Sequence, residues 1–189
     1  MINPSTRSAQ TTSLQEGPPP PLRPWDVHNR KLYDNVHPLN WVNPEPAPRY
    51  NLVVIGGGTA GLVTAAGAAG LGARVALVEK HLLGGDCLNV GCVPSKALIK
   101  SARAAHQTRH ADHYGLTPAE PVIDFKSVMR RIHEIIRTIE PHDSVGRYQG
   151  LGVDVLQGYA RIVDPWTVEV KLNGGGTKRL TTRSNVIAA

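Results

Sequence analysis

The sequence predicts an α/β fold in which helices cover a parallel β-sheet, and three observations support this. A short apolar run at residues 52–55 is followed by consecutive glycines and a helix-forming stretch at residues 59–71. A second apolar run at residues 74–79 completes a strand-helix-strand unit, which joins parallel strands with a right-handed crossover. Beyond residue 150, short turn-bounded strands predict an inserted or appended antiparallel β meander.

Two further helices are expected between these parts. Proline fits the first turn of a helix, so a helix is expected to begin near Pro94 and to run to Arg109. Asp124 is a good N-cap for the next helix, which has one isoleucine-rich face and stops at Pro141. The predicted later strands span residues 153–156, 159–163, 167–172, 179–182 and 185–189, with a hairpin turn at 173–176. Because the last strand has only begun, we expect a domain that is incomplete at its C-terminus.

Residues 1–48 differ from the rest, because they are polar and rich in proline. Proline prevents long regular structure, so an extended N-terminal arm is predicted there, followed by a single domain at residues 49–189. Large aromatic side chains in a polar arm usually pack on something. We therefore expect Trp25, Tyr33 and Trp41 to dock on this chain's own domain or on a partner subunit.

Composition excludes several classes of function. The 189 residues carry a formal net charge of +6, but the basic residues are scattered and form no long run, which argues against nucleic-acid binding. No secretory signal is visible, so the cytoplasm is the expected location. The apolar run at residues 52–73 contains too many glycines for a continuous membrane helix, and no membrane segment is predicted.

The glycine-rich turn predicts a dinucleotide site. It matches the G-x-G-x-x-G pattern, in which the first glycine permits a tight turn, the second admits a pyrophosphate, and the third lets helix and strand pack closely. Glu79 ends the second strand and can accept hydrogen bonds from ribose hydroxyls. The pattern does not separate FAD from NAD. The residues of the turn are Gly56, Gly57, Gly58, Thr59, Ala60 and Gly61.

The chain has two cysteines, Cys87 and Cys92, which are separated by four residues. A disulfide needs Cα atoms about 4.4 to 6.8 Å apart, whereas this spacing on a regular helix gives roughly 8 to 9 Å, so a bond requires an irregular turn at residues 89–91. Cys92 would begin a helix, where the dipole and Lys96 favour a thiolate with a low pKa. Redox catalysis is the leading interpretation. Structural cysteines, half of a zinc site and an inert disulfide are the alternatives, and no metal site is predicted.

The segment from Gly84 to Lys96 resembles the G-G-x-C-[LV]-N-x-G-C-[IV]-P-[ST]-K signature of class I pyridine nucleotide-disulfide oxidoreductases. This family includes dihydrolipoamide dehydrogenase, glutathione reductase and mercuric reductase. The resemblance extends from about Tyr50 to Ala189, which is all of the chain except the arm. It implies a Rossmann-like FAD-binding domain that carries a redox-active disulfide.

The resemblance also implies roles for individual residues. Cys92 would face the flavin, Cys87 would exchange electrons with the substrate, and Lys96 would lie near the flavin N5. Electrons would pass from NAD(P)H through FAD to the cysteine pair and then to a small-molecule or metal-ion substrate. The implied FAD-binding residues are Gly56, Gly57, Gly58, Thr59, Ala60, Gly61, Glu79, Lys80, Gly85, Asp86, Cys92, Lys96, Tyr159 and Ala160.

Within the family, Ser95 resembles the dihydrolipoamide dehydrogenase and mercuric reductase branches more than glutathione reductase. The arm and the sequence at residues 75–86 resemble mercuric reductase. Dihydrolipoamide dehydrogenase and a non-catalytic dinucleotide-binding fragment are the alternatives. Asp86 departs from the family pattern, in which many members have threonine, and a carboxylate there would repel a pyrophosphate. The NAD(P)-binding and dimerisation domains of the family are absent from this chain, so the resemblance implies an inactive fragment of a homodimeric enzyme. The eight histidines are interpreted as surface residues.

Overall fold

The computed structural model describes residues 22–189. Two 3-10 turns lie at Ala111–Tyr114 and Glu140–Asp143. The α-helices and β-strands, in chain order, are α1 (Val27–Val36), β1 (Tyr50–Ile55), α2 (Thr59–Gly70), β2 (Val75–Glu79), α3 (Gly85–Asn89), α4 (Cys92–Arg109), α5 (Phe125–Ile139), α6 (Val145–Gly150), β3 (Val153–Asp164), β4 (Thr167–Leu172) and β5 (Thr177–Ile187).

The centre of the fold is a parallel sheet with the strand order β3-β2-β1-β5. Strand β1 pairs with β2 on one side and with β5 on the other, both in parallel. Helix α2 connects β1 to β2, as the strand-helix-strand pattern predicts. Buried side chains such as Val54 and Leu77 lie in this sheet, as expected for strands covered on both faces. The predicted α/β fold is therefore confirmed.

The antiparallel meander continues from the same strands. The first part of β3 pairs with β2 and the rest pairs with β4, while β5 pairs first with β4 and then with β1. The five strands consequently close on themselves in the order β1-β2-β3-β4-β5. The predicted hairpin turn at residues 173–176 joins β4 to β5.

Two predicted strand boundaries are wrong. Residues 153–156 and 159–163 belong to one strand, because Gly158 does not interrupt β3. A Cβ atom at Gly158 would lie 2.5 Å from the carbonyl oxygen of Lys171, so the glycine permits close pairing with β4 rather than a turn. Residues 179–182 and 185–189 likewise do not form separate strands, since β5 runs without a break to Ile187.

The helices agree with the sequence in type but not always in extent. Helix α5 begins after Asp124, whose carboxylate accepts hydrogen bonds from the backbone N–H groups of Lys126 at 3.0 Å and Ser127 at 3.3 Å. Helix α4 runs from Cys92 to Arg109 with Pro94 in its first turn, so the expectation that Cys92 begins this helix is confirmed. Helices α3 and α6 were not predicted, because each spans six residues or fewer and has too short a pattern for a helical period.

The prediction of an extended arm is wrong for residues 27–36, which form helix α1. Prolines flank this segment at positions 24 and 38 but none lies inside it, so three helical turns fit between them. Asp26 caps the helix through the N–H groups of His28 and Asn29. The part of the predicted arm at residues 1–21 lies outside the described residues.

Several contacts hold the arm to the domain. Tyr33 is fully buried in the main core, and the indole N–H of Trp41 donates to the carbonyl oxygen of Val155 at 3.1 Å. The prediction that these two aromatic residues pack on the chain's own domain is confirmed. His37 is only 2% exposed and its Nδ1 contacts the carbonyl oxygen of His81. The interpretation of every histidine as a surface residue is therefore wrong for His37. This residue lies at the C-terminal end of α1 and packs against the loop after β2.

The apolar run at residues 52–73 forms β1, the glycine turn and α2 rather than one helix. Across residues 22–189, none of the helices combines the length and the apolar character that crossing a membrane requires.

Candidate functional site

The glycine turn between β1 and α2 needs its first and last glycines for different reasons. Gly56 has a φ angle of +106°, a conformation that favours glycine, and a Cβ atom there would also lie 2.5 Å from the carbonyl oxygen of Ala188. A Cβ atom at Gly61 would lie 1.8 Å from the carbonyl oxygen of Gly56. The close packing of helix on turn predicted from the sequence is thus observed directly.

Gly58, the middle glycine, occupies the N-cap position of α2 and has no side chain to cap the helix. A Cβ atom at this position would meet only the Cα atom of Gly85, at 4.0 Å, so the space in front of the turn is open. The N-terminal N–H groups of a helix carry a partial positive charge and bind anions. The turn therefore has the form that a phosphate group requires.

Glu79 lies at the end of β2 and is bound to the glycine turn. Its Oε2 accepts a hydrogen bond from the backbone N–H of Gly57 at 2.6 Å, and its Oε1 accepts one from the N–H of His81 at 2.7 Å. Each carboxylate oxygen has further lone pairs for a ligand hydroxyl. The carboxylate is therefore held in place at the mouth of the turn by two backbone groups.

A cavity of about 1100 Å³ opens in front of the glycine turn. This volume is slightly above the usual range for small-molecule sites, roughly 300 to 1,000 Å³. The predicted site residues that line it are Gly56, Gly58, Thr59, Ala60, Glu79, Lys80, Gly85, Asp86, Cys87, Tyr159 and Ala160. Four predicted residues do not line the cavity, namely Gly57, Gly61, Cys92 and Lys96.

The cysteine pair lies where α3 ends and α4 begins. Cys87 is in α3, Cys92 is the first residue of α4, and the helical path breaks at Val90 and Gly91 between them. A Cβ atom at Gly91 would lie 2.8 Å from the carbonyl oxygen of Asp86, so the break depends on glycine. The predicted irregular turn is confirmed. Both cysteines are free thiols in this structure.

The two thiols influence each other's pKa. Hydrogen bonds from the Cys92 thiol and then from the Thr59 hydroxyl lower the pKa of Cys87. The same hydrogen bond to Cys87, together with the negative charge on Cys87, raises the pKa of Cys92. The expectation of a lowered pKa for Cys92 is therefore wrong, because the hydrogen bond to Cys87 outweighs the helix N-terminus and Lys96.

Lys96 and Asp86 lie on either side of the cysteine pair. Lys96 is exposed on the first turn of α4, and its charge lowers the pKa of both thiols as a lesser contribution. The side chain of Asp86 is exposed at the rim of the cavity, while its carbonyl oxygen accepts the N–H groups of Val90 and Gly91. A negative side chain thus stands beside the turn that is suited to a phosphate.

Sequence reasoning missed one residue and one contact of the site. Asp143, in the 3-10 turn after α5, raises the pKa of Cys87 through its charge, and burial raises the pKa of Asp143 itself. The contact of Thr59 with Cys87 was also missed, since the two residues are brought together only by the fold. Among residues 22–189, no three histidine, cysteine or acidic side chains are arranged to hold a metal ion.

Comparison with known proteins agrees with this geometry. Residues 50–189 match the family model described as pyridine nucleotide-disulphide oxidoreductase. The chain is 36% identical to a dihydrolipoyl dehydrogenase of Bacillus subtilis over 151 residues, covering 76% of this chain and 31% of that protein. It is 39% identical to a dihydrolipoyl dehydrogenase of Pseudomonas aeruginosa, covering 74% of this chain and 30% of the relative.

A mercuric reductase of Streptomyces lividans is 33% identical over 140 residues, which cover 74% of this chain and 30% of that protein. The chain thus spans about 30% of the length of these relatives. The family match covers most of the chain and includes the glycine turn, Glu79 and both cysteines. With its paired thiols beside a dinucleotide-type turn, this chain belongs to the pyridine nucleotide-disulphide oxidoreductase family.

Proposed function

We propose that this chain binds FAD and carries the dithiol of an NAD(P)H-dependent flavoprotein oxidoreductase. The glycine turn would hold the pyrophosphate at the N-terminus of α2, and Glu79 would accept hydrogen bonds from the ribose. Tyr159 and Ala160, which line the cavity on β3, would lie beside the adenine. When bound, FAD supplies two-electron transfer between NAD(P)H and the thiol pair.

The open space at Gly58 is the observation that supports a dinucleotide here. A Cβ atom at Gly58 would have no neighbour closer than 4.0 Å, although the turn itself is tightly packed at Gly56 and Gly61. The protein itself leaves room for a side chain at Gly58. A glycine at such a position is explained by a ligand that must come close to the backbone. The cavity in front of it has room for a ligand of dinucleotide size.

The thiol pair would transfer electrons by thiol exchange. Because the pKa of Cys87 is lowered, Cys87 is the first of the two to become a thiolate. The Cys87 thiolate would attack one sulfur of a substrate disulfide and release the other sulfur as a thiolate. Cys92 would then attack the Cys87 sulfur, release the second substrate thiol and leave a Cys87–Cys92 disulfide. The substrate gains two electrons and the cysteine pair loses two.

Two electron acceptors have support. The relatives named dihydrolipoyl dehydrogenase favour the dithiol/disulfide couple of lipoamide, whose disulfide form would be the acceptor for electrons that come from NAD(P)H. The relative named mercuric reductase favours Hg(II), which two thiolates can bind. We propose in addition that NAD(P)H binds outside this chain's cavity and that the whole enzyme is a homodimer, as the resemblance implies.

Titration of the purified chain with FAD tests the proposal. Binding should quench the flavin fluorescence. At a pH that ionises Cys92, the dithiol form of the loaded protein should gain a long-wavelength charge-transfer absorbance band that Cys92→Ser removes. Absence of FAD binding would contradict the proposal. Binding without any effect of Cys92→Ser would favour a non-catalytic dinucleotide-binding module.

The acceptor is tested with the same loaded protein after reduction and removal of the reductant. Oxidised lipoamide and Hg(II) are added separately, and the loss of free thiols is measured by mass spectrometry. A Cys87–Cys92 disulfide formed with lipoamide identifies a disulfide acceptor. Release of elemental mercury together with reoxidation of the reduced FAD identifies a mercuric reductase, and the Cys87→Ser variant serves as the control in both arms.

A further inference from the structure

Helix α1 forms part of the wall of the cavity, although it lies before residue 50 and outside the family match. His28, Asn29 and Leu32 of α1 line the same cavity as the glycine turn. Ile136 and Arg137 of α5 line it as well, together with Glu140 of the 3-10 turn that follows. We define these six residues, together with Asn89 of α3, which lines the same cavity, as the α1–α5 compartment.

The helix is firmly attached at this position. Its C-terminal residue Val36 is fully buried, and the carbonyl oxygen of Val36 accepts the N–H of Leu83 at 3.1 Å. Leu83 belongs to the loop that connects Glu79 with the helix that carries Cys87. Helix α1 therefore positions one side of the dinucleotide cavity as well as lining it.

Unpartnered polar groups point to a ligand in this compartment. Within the described part of the chain, four buried side-chain atoms lack a hydrogen-bond partner: Asn89 Oδ1, Arg137 Nε, Glu140 Oε2 and Asn185 Oδ1. Three of these four residues, Asn89, Arg137 and Glu140, line the cavity. Folded proteins leave few such atoms, and each one requires an explanation.

Glu140 is the strongest of these observations, because its side chain is fully buried. One carboxylate oxygen accepts a hydrogen bond from Asn35 of α1 at 3.1 Å, while the other has no partner. Oε2 can therefore accept a donor from a ligand while Oε1 keeps its contact with Asn35. Burial raises the pKa of Glu140, as expected for a carboxyl group that lacks a full set of partners.

The chemistry of the compartment fits the edge of a flat heterocycle. Leu32 and Ile136 offer apolar surface, while Arg137 offers a donor, and Glu140 and Asn89 offer acceptors. A heterocycle such as adenine or the isoalloxazine ring has apolar faces and an edge with both donors and acceptors. A phosphate, in contrast, would leave the two acceptors without partners.

We propose that the α1–α5 compartment is a second subsite of the dinucleotide cavity, in which Arg137 and Glu140 bind the polar edge of one heterocycle of the bound dinucleotide. This inference rests on the proposed FAD site. The same chemistry is present in the adenine and in the flavin half, so the test must distinguish these two sources.

The experiment measures dissociation constants of the full chain for FAD, ADP and FMN by calorimetry. The test variants are Arg137→Met and Glu140→Gln, and the matched control is Arg130→Met, an exposed residue of the same helix. We expect both test variants to weaken FAD binding at least tenfold, with less than a twofold change in the control. Circular dichroism melting of each variant without ligand checks that the fold is retained.

The two halves of the dinucleotide identify the bound heterocycle. A parallel loss of ADP affinity identifies adenine, and a parallel loss of FMN affinity identifies the isoalloxazine ring. If wild type binds FAD and both folded test variants bind it equally well, the subsite is refuted while the proposed function stands. If wild type itself binds no FAD, the proposed function fails and the subsite fails with it.

Discussion

Glu79 accepts a hydrogen bond from the backbone N–H of Gly57, with 2.6 Å between Oε2 and N. This contact joins the end of β2 to the turn that follows β1. It places the carboxylate beside the open space at Gly58, where a ligand would be bound. The turn and the acidic residue therefore act as one unit, and a change in one alters the other.

Replacing this carboxylate should weaken FAD binding. In Glu79→Gln the side chain keeps its size but loses its charge, and charge-assisted hydrogen bonds are roughly twice as strong as neutral ones. We expect the dissociation constant for FAD to rise by about tenfold, measured by flavin fluorescence quenching. Glu134→Gln, at an exposed position on α5, is the control. An unchanged constant in Glu79→Gln would show that Glu79 does not contact the ribose.

A matched pair of glycine substitutions tests the packing of α2. Gly61→Ala should destabilise the fold by about 3 kcal/mol, because its Cβ atom would lie 1.8 Å from the carbonyl oxygen of Gly56. Gly67→Ala, in the same helix, has no atom within 4 Å of the new Cβ. It should stabilise the fold by about 0.5 to 1 kcal/mol through helix propensity. Urea denaturation measures the free energy of unfolding of both variants. Equal changes in the two variants would show that Gly61 is not required for the packing of α2 on the turn.

The acidity of Cys87 should depend on its two hydrogen-bond donors. Because these donors stabilise the thiolate, removing one raises the pKa of Cys87 and moves its reactivity to higher pH. Cys92→Ala should raise this pKa more than Thr59→Val, since the Cys92 hydrogen bond is the larger cause.

The measurement is the rate of alkylation of Cys87 by iodoacetamide as a function of pH, followed by peptide mass spectrometry. Thr64→Val, in the same helix as Thr59, is the control and should leave the profile unchanged. If Cys92 proves to react at lower pH than Cys87 in the wild-type dithiol, the assignment of the more acidic thiol is wrong.

The carboxylate of Asp86 should reduce the affinity for an anionic dinucleotide. A like charge near a pyrophosphate costs about 1 kcal/mol at 4 Å in water, which corresponds to roughly fivefold in affinity. Asp86→Thr should therefore tighten FAD binding by about this factor at low salt, and the gain should shrink as salt screens the charge. Asp112→Thr, in the 3-10 turn after α4, is the control. A loss of affinity in Asp86→Thr would instead assign Asp86 a binding role.

The sequence by itself determined those features that depend on residues close to one another along the chain. The strand-helix-strand unit, the roles of Gly56 and Gly61, the N-cap at Asp124 and the break before Cys92 all depend on backbone geometry within a few residues. Glycine, proline and capping residues restrict that geometry directly, so these features were predicted correctly. The cysteine signature, read in the same way, indicated the family.

Only the tertiary structure decided what depends on contacts between distant residues. Helix α1 owes its position to burial of Tyr33 and Val36 against the domain, which no local pattern reveals. The acidity of Cys87 depends on Thr59, which α2 brings within hydrogen-bond distance. The cavity wall formed by α1 and α5 arises in the same way, because packing energy depends on which surfaces meet in space rather than on their order in the chain.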